Sequence, residues 1–61
     1  MIYANYMRYQ KKYSTEFDDD ELNIAVMYLN EGVFEGYHSI INITNQKGEV
    51  LMTEDEIWES A

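Results

Sequence analysis

The sequence predicts a small α+β domain in the order β-β-α-β-β-α, with one main helix packed on a face of an antiparallel sheet and a short C-terminal helix. Three observations lead to this fold class. Two pairs of strand-like segments are each joined by a polar turn, an apolar stripe of helical period separates the pairs, and a helix-capping pattern follows the second pair. With 61 residues and no cysteine, residues 1–61 form a single acidic domain that has a thin core and no disulfide.

The first pair of strands is predicted at residues 2–9 and 13–17, with a polar turn at residues 10–12. The first segment is rich in tyrosine, which suits a pleated surface better than a helix. Residues 2–13 also match a helical stripe, which is the alternative to the hairpin. That stripe consists of Ile2, Tyr6, Tyr9 and Tyr13.

The main helix is predicted to follow the acidic run at residues 18–21, because carboxylates cap a helix N-terminus and interact with its positive dipole end. Its apolar stripe is Leu22, Ala25, Val26 and Leu29. Gly32 is the predicted stop, and residues 33–36 are a predicted turn. Further apolar side chains widen the apolar face, which indicates a helix that is covered on two sides or that contacts a partner. These are Ile24, Met27 and Tyr28.

The second pair of strands is predicted at residues 39–44 and 49–52, joined by a turn at residues 45–48. The first of these strands is rich in β-branched residues, and glycine ends the turn at a position that favours positive φ. Thr53 with Glu56 three residues later forms a capping box, which predicts a short helix through residues 57–59.

The charges are unevenly distributed along the chain, whose net charge is −8. Residues 1–12 contain three bases and no acid, whereas residues 13–61 contain all twelve acids and one lysine, a local charge of −11. Such a charge density opposes compaction by self-repulsion, which favours a partner that is attracted to it. We therefore expect the acids to form one negative face, with aromatic anchors beside it. The predicted partner-binding residues are Asp18, Asp19, Asp20, Glu21, Glu54, Asp55, Glu56 and Glu59, with Tyr28, Tyr37 and Trp58 as anchors.

Catalytic, metal and cofactor sites are not predicted. The chain has no cysteine and a single histidine, His38, which no catalytic motif surrounds. We therefore expect no enzyme activity. The acidic run lacks the alternating ligands and central glycine of a calcium loop, and no glycine-rich phosphate loop is present. Four basic residues against twelve acids disfavour direct binding of nucleic acid.

These patterns predict a non-enzymatic inhibitor that binds a basic, nucleic-acid-binding surface of a partner protein, as a nucleic-acid mimic. One alternative is that the acids only serve helix termini and solubility. Another is a self-associating structural or accessory domain, including a homodimer. Neither a signal peptide nor a membrane span is apparent, so the expected location is the cytoplasm. In length, acidity, lack of cysteine and use of Asn, Tyr, Ile and Lys, the chain resembles short acidic proteins with which phages and mobile elements inhibit host enzymes or defence systems.

Overall fold

Four antiparallel strands in the order β2-β1-β3-β4 form one sheet, and both helices contribute to the core on one of its faces. The computed structural model describes residues 1–34, 36 and 39–60. The predicted α+β fold and its element order are confirmed. The elements are β1 (Ile2–Arg8), β2 (Lys11–Phe17), α1 (Leu22–Phe34), β3 (Ser39–Asn45), β4 (Val50–Thr53) and α2 (Glu54–Glu59).

The N-terminal segment is a hairpin, so the strand prediction was right and the helical alternative was wrong. The predicted turn was misplaced, because the turn consists of Tyr9 and Gln10, while Lys11 already pairs with Arg8. Tyr9 and Gln10 have φ of 51° and 68°. Positive φ at both central residues is typical of a type I′ turn, whose twist matches that of the strands it joins. The two-residue turn therefore leaves both lysines within β2.

Helix α1 extends through Gly32 to Phe34, so the predicted stop at Gly32 and the predicted turn from Val33 were wrong. Val33 packs against the core, and this burial offsets the roughly 1 kcal/mol by which glycine weakens a helix relative to alanine. The glycine with left-handed backbone comes later. Gly36 has φ of 82°, and its N–H donates to the carbonyl of Val33 at 2.9 Å.

The core lies between the sheet and α1, and Ile57 of α2 completes it. Strands β1 and β3 are central in the sheet and supply the side chains under the helix, as expected for alternating residues of a half-buried strand. The buried set is Ile2, Ala4, Tyr6, Ala25, Val26, Leu29, Ile40, Ile43 and Ile57.

The opposite face of the sheet is polar at its centre. Asn5 of β1 is only 8% exposed. Its Nδ2 donates to Asn42 Oδ1 at 2.8 Å and to Thr44 Oγ1 at 3.0 Å, and its Oδ1 accepts from Ser14 Oγ at 2.6 Å. These bonds join three strands through side chains and satisfy a buried amide.

The second hairpin and the capping box are confirmed. Gly48 has φ of 84° in the β3–β4 turn, although β4 begins at Val50, one residue later than predicted. Glu56 N–H donates to Thr53 Oγ1 at 3.3 Å, and Thr53 N–H donates to Glu56 Oε1 at 3.0 Å. Asn30 Nδ2 of α1 donates to the carbonyl of Ile57 at 3.1 Å, which ties the two helices together. No helix in the described part of the chain has both the length and the apolar character needed to cross a membrane.

Candidate protein-binding surface

The acidic side chains that the structure describes are directed to solvent. Of the eleven acids that the structure describes, ten are exposed and Glu21 is half-buried. Asp19, which lies 2.6 Å from the amino group of Met1, is the one acid among residues 1–34, 36 and 39–60 in an ion pair. Because the other described carboxylates have no cationic partner among the described residues, their field extends outward to an approaching molecule.

The first predicted acidic cluster forms a turn ahead of α1, which we call the acidic turn (residues 18–21). Glu21 N–H donates to the carbonyl of Asp18 at 2.9 Å, and Glu21 Oε1 accepts from Asp18 N–H at 2.8 Å. The carbonyl of Glu21 accepts the N–H of Ala25, so Asp18, Asp19 and Asp20 precede the helix. The prediction that the main helix follows the acidic run is confirmed, because α1 begins at Leu22 and its first turn contains no acid.

The second acidic cluster lies on α2, as predicted. Glu54, Asp55 and Glu56 form the first turn of α2, where carboxylates are favoured by the helix dipole, and Glu59 is its last residue. Only Glu56 is engaged in the capping box, so the other three carboxylates are not needed to cap the helix.

The strand order separates these two clusters. The acidic turn follows β2 and α2 follows β4, and these are the two edge strands of the sheet. With neighbouring strands about 4.8 Å apart, the edges are roughly 14 Å from each other. Helix α1 contacts both central strands and α2, so it lies between the two clusters. A continuous negative face would therefore have to include the outer surface of α1.

Of the predicted aromatic anchors, Tyr28 is half-buried and hydrogen-bonded within the fold. Its hydroxyl lies 3.0 Å from the hydroxyl of Tyr6 and 3.3 Å from Thr15 Oγ1, and its ring centroid lies 5.7 Å from that of Phe17. Tyr6 also stacks on Tyr13, at 5.8 Å between centroids. The phenol of Tyr28 thus closes the edge of the core above β2.

The two hydroxyls of this cluster differ in acidity. Hydrogen bonds from Thr15 and then Tyr28 lower the pKa of Tyr6 despite its burial. Burial raises the pKa of Tyr28, and the neighbouring Tyr6 raises it further, against an opposing bond from Thr15. Because the two pKa values shift in opposite directions, Tyr6 loses its proton more readily than Tyr28.

Trp58 and Tyr37 are the other two predicted anchors. Trp58 lies on α2 beside the buried Ile57, and its side chain is 47% exposed. Tyr37 lies outside the described residues, as does His38, the histidine that the sequence analysis considered for catalysis.

A stripe of exposed apolar side chains runs along α1, and we call it the outer stripe. Ile24 is 49% exposed, Met27 60% and Phe34 92%. At 100° per residue, these three and the exposed Glu31 fall within an arc of about 80° on the side of the helix away from the core. Sequence reasoning noted Ile24 and Met27 as a widening of the apolar face but overlooked Phe34. A second helical period, offset from the core stripe, is the signal that could have found them.

Shallow grooves flank the outer stripe on both sides. One, of about 250 Å³, is lined by Phe17, Ile24, Met27, Tyr28 and Glu31. The other, of about 360 Å³, lies towards α2 and is lined by Leu22, Asn23, Val26, Met27, Met52 and Ser60. The flexible side chain of methionine adapts readily to a partner's surface. Met27 forms the ridge between the grooves, so a partner's side chains could insert on either side of it.

Within the described residues, no group of three or more His, Cys, Asp or Glu side chains is placed to hold a metal ion. Comparison with protein-family models, with curated proteins and with solved structures finds no match. Any assignment of function therefore depends on this surface itself.

Proposed function

We propose that this chain is a cytoplasmic, non-enzymatic inhibitor that binds a basic, nucleic-acid-binding surface of a partner protein. One observation carries the proposal. The outer stripe of α1 is an exposed apolar strip between two acidic segments whose carboxylates have almost no cationic partner within the described residues. An apolar centre with a charged rim is the usual anatomy of a protein–protein interface.

The two kinds of residue have different roles in this proposal. Met27 and Phe34 supply most of the affinity, because large side chains buried at the centre of an interface dominate its energetics. The acidic turn and the acids of α2 attract and orient the partner, and contribute more to the association rate than to the lifetime of the complex. Tyr28 supports the stripe from below, and Trp58 adds a contact at the α2 end.

Nucleic-acid mimicry follows from the kind of partner that such a surface selects. A protein site that neutralises phosphates with lysine and arginine also attracts a compact body of charge −8. While bound there, the domain would exclude the nucleic acid. Inhibitors of this kind are the class of phage and mobile-element proteins that the composition resembles.

The proposal is tested by capture of partner proteins on the immobilised domain at low and high salt, followed by competition with the purified partner's own nucleic acid. We expect a basic partner whose DNA or RNA is displaced at stoichiometric amounts of the domain. Added salt should weaken capture, because ions screen charges beyond about 10 Å at 0.1 M and about 3 Å at 1 M.

Two sets of variants distinguish the roles of charge and apolar contact. The triple variant Asp18→Lys, Asp19→Lys, Asp20→Lys should slow association, and Met27→Glu should shorten the lifetime of the complex. Glu49→Lys is the control for reversal of a single exposed acid outside both acidic segments, since Glu49 lies in the β3–β4 turn, and Asp19→Lys is the single reversal to compare with it. A partner that is captured equally at high salt and by the triple variant, or that keeps its nucleic acid when bound, would contradict the proposal.

A further inference from the structure

Strand β2 is an edge strand with seven residues, Lys11–Phe17, and its outer side pairs with no other strand in the described part of the chain. The opposite edge strand, β4, has only four residues, and its pairing with β3 has a register shift. A long edge of this kind exposes backbone donors and acceptors that a further strand can use.

The pairing of β1 with β2 determines which backbone groups of β2 face outward. The pair Arg8–Lys11 flanks a two-residue turn, so these two residues exchange hydrogen bonds with each other. Because hydrogen-bonded and non-hydrogen-bonded pairs alternate along an antiparallel ladder, every second residue of β2 directs its N–H and C=O away from β1. The outward residues are Lys12, Ser14 and Glu16.

We propose that β2 pairs antiparallel with β2 of a second copy of this chain, about a two-fold axis that passes between the two Ser14 residues. In this register Ser14 faces Ser14 of the second copy, and Lys12 faces Glu16 of the second copy. Each outward N–H and C=O of β2 then meets a partner. A shift of the centre to Tyr13 or Thr15 leaves Glu16 or Lys12 opposite a residue beyond the end of β2.

The side chains also match across this axis. Lys12 and Glu16 lie on the polar face of the sheet, since their partners in β1 are Met7 and Tyr3. The two-fold register therefore places a lysine directly opposite a glutamate twice, and opposite charges in direct cross-strand pairs are stabilising. Ser14 lies between these two pairs, so the row of hydrogen-bonded side chains Ser14, Asn5 and Asn42 continues into the second copy.

On the helix-bearing face, the same register covers exposed apolar surface. Tyr13, which is 43% exposed, lies opposite Thr15 of the second copy, an aromatic–β-branched pair. Lys11 lies opposite Phe17 of the second copy, where its aliphatic stem can cover the ring while the ammonium stays in water.

The uneven charge of the whole chain is relieved by the same arrangement. Arg8, Lys11 and Lys12 lie at one end of β2, whereas Glu16 and the acidic turn lie at its other end. Antiparallel pairing brings the basic end of each copy next to the acidic end of the other. This attraction counters the repulsion between two chains of charge −8.

Charge-swap variants test the register by sedimentation equilibrium. We expect wild type to dimerise reversibly. Lys12→Glu and Glu16→Lys should each weaken the dimer on the order of tenfold or more, because each places like charges opposite one another at two positions. The double variant Lys12→Glu/Glu16→Lys should restore the dimer, since it exchanges the two partners of the same pair.

The matched controls are Lys47→Glu and Glu49→Lys, which make the same changes of charge at exposed positions in the β3–β4 turn and should leave the dimer unchanged. Circular dichroism checks that each variant is folded. Met27→Glu, which tests the proposed function on α1, should also leave the dimer intact, so the two proposals can fail separately.

A covalent test covers the case in which a charge variant does not fold. Ser14→Cys places two thiols at the axis, with Cα atoms about 5.5 Å apart, which lies within the range of a disulfide. Oxidation should link the copies through this cysteine, while Leu51→Cys on the opposite edge should stay unlinked. A wild-type protein that stays monomeric, a dimer indifferent to both single reversals, or a Ser14→Cys protein that does not cross-link would overturn the proposal.

Discussion

Replacing Gln10 with glycine should stabilise the domain, because Gln10 occupies a backbone conformation that suits glycine. Gln10 has φ of 68° and follows Tyr9, which has φ of 51°. In a type I′ turn both central positions require positive φ, and asparagine followed by glycine is the preferred pair. The native turn has neither. The turn persists because the paired strands β1 and β2 hold its two ends together.

The size of the effect follows from two opposing terms. A residue with a Cβ atom in the left-handed region costs about 1–2 kcal/mol, which glycine removes. Glycine also loses more entropy on folding, about 0.4–1 kcal/mol. The net gain in the free energy of unfolding is therefore roughly 0.5–1 kcal/mol, which raises Tm by about 2–8 °C in a domain of this size. This is a large fraction, because a 61-residue domain has a total stability of only about 3–9 kcal/mol.

Thermal and urea unfolding followed by circular dichroism measure the effect. Gly48→Ala is the matched opposite change, since Gly48 has φ of 84° and a Cβ atom there would have no atom within 4 Å. That alanine therefore meets no steric clash, so its cost is backbone strain less the smaller entropy loss of alanine on folding, and we expect a loss of similar size. If Gly48→Ala destabilises the domain while Gln10→Gly leaves the midpoint unchanged, the first turn is not held at positive φ and the reasoning is refuted.

Three further substitutions test other parts of the fold. Thr53→Ala should lower the free energy of unfolding by about 1 kcal/mol in urea titrations, because it removes the hydroxyl that caps α2. Asn5→Ala should lower the free energy of unfolding by about 1–3 kcal/mol, because it removes the amide that bonds side chains of both neighbouring strands on the sheet face opposite the helices. Asn42→Ala removes only one of these bonds and should lower it less. Thr15→Val should raise the pKa of Tyr6, because the hydrogen bond from Thr15 is the largest cause of its lowering; absorbance titration of tyrosinate measures this. A lowered pKa in the folded state stabilises the domain at pH values above the unfolded pKa of about 10. The free energy of unfolding that Thr15→Val loses should therefore grow as pH rises to that value and beyond. A loss that is independent of pH would contradict the assignment.

The parts of the fold that sequence predicts correctly are those specified locally. Strand alternation, the glycine of the β3–β4 turn and the capping box each depend on residues within a few positions of one another. The misplaced first turn and the helix stop predicted too early have physical causes of another kind. Tyr9 and Gln10 carry no signal for a type I′ turn, and the two strands of the hairpin impose it on them. Gly32 is a plausible helix stop, but burial of Val33 beyond it continues the helix.

The candidate surface was less accessible to sequence reasoning because it depends on tertiary arrangement. Both acidic runs are obvious in the sequence, but their separation follows from the pairing of β1 with β3, which puts the two hairpins side by side and makes β2 and β4 the edges. Likewise, periodicity separates the core stripe of α1 from the outer stripe, but which side of α1 the second helix covers depends on the position of α2. Met27 is exposed because α2 covers the helix through Ile57 and Asn30 instead.

The two proposed surfaces can be used at the same time. In the two-fold register both copies of α1 lie on one face of an eight-stranded sheet, because directly opposite residues of antiparallel strands share a face. Helix α1 packs over the two central strands, so its axis lies about 7 Å inside β2 and the two helix axes are roughly 19 Å apart across the dimer. Helices in contact are only about 8–10 Å apart, so neither outer stripe is covered by the other copy. Two outer stripes on the same face of the dimer would strengthen binding to a partner with repeated basic sites without any new contact. A monomeric β2 variant should therefore still bind a partner with a single basic site and lose only the gain from bivalency on a partner with repeated sites. Loss of binding to both kinds of partner would mean that the outer stripe functions only within the dimer.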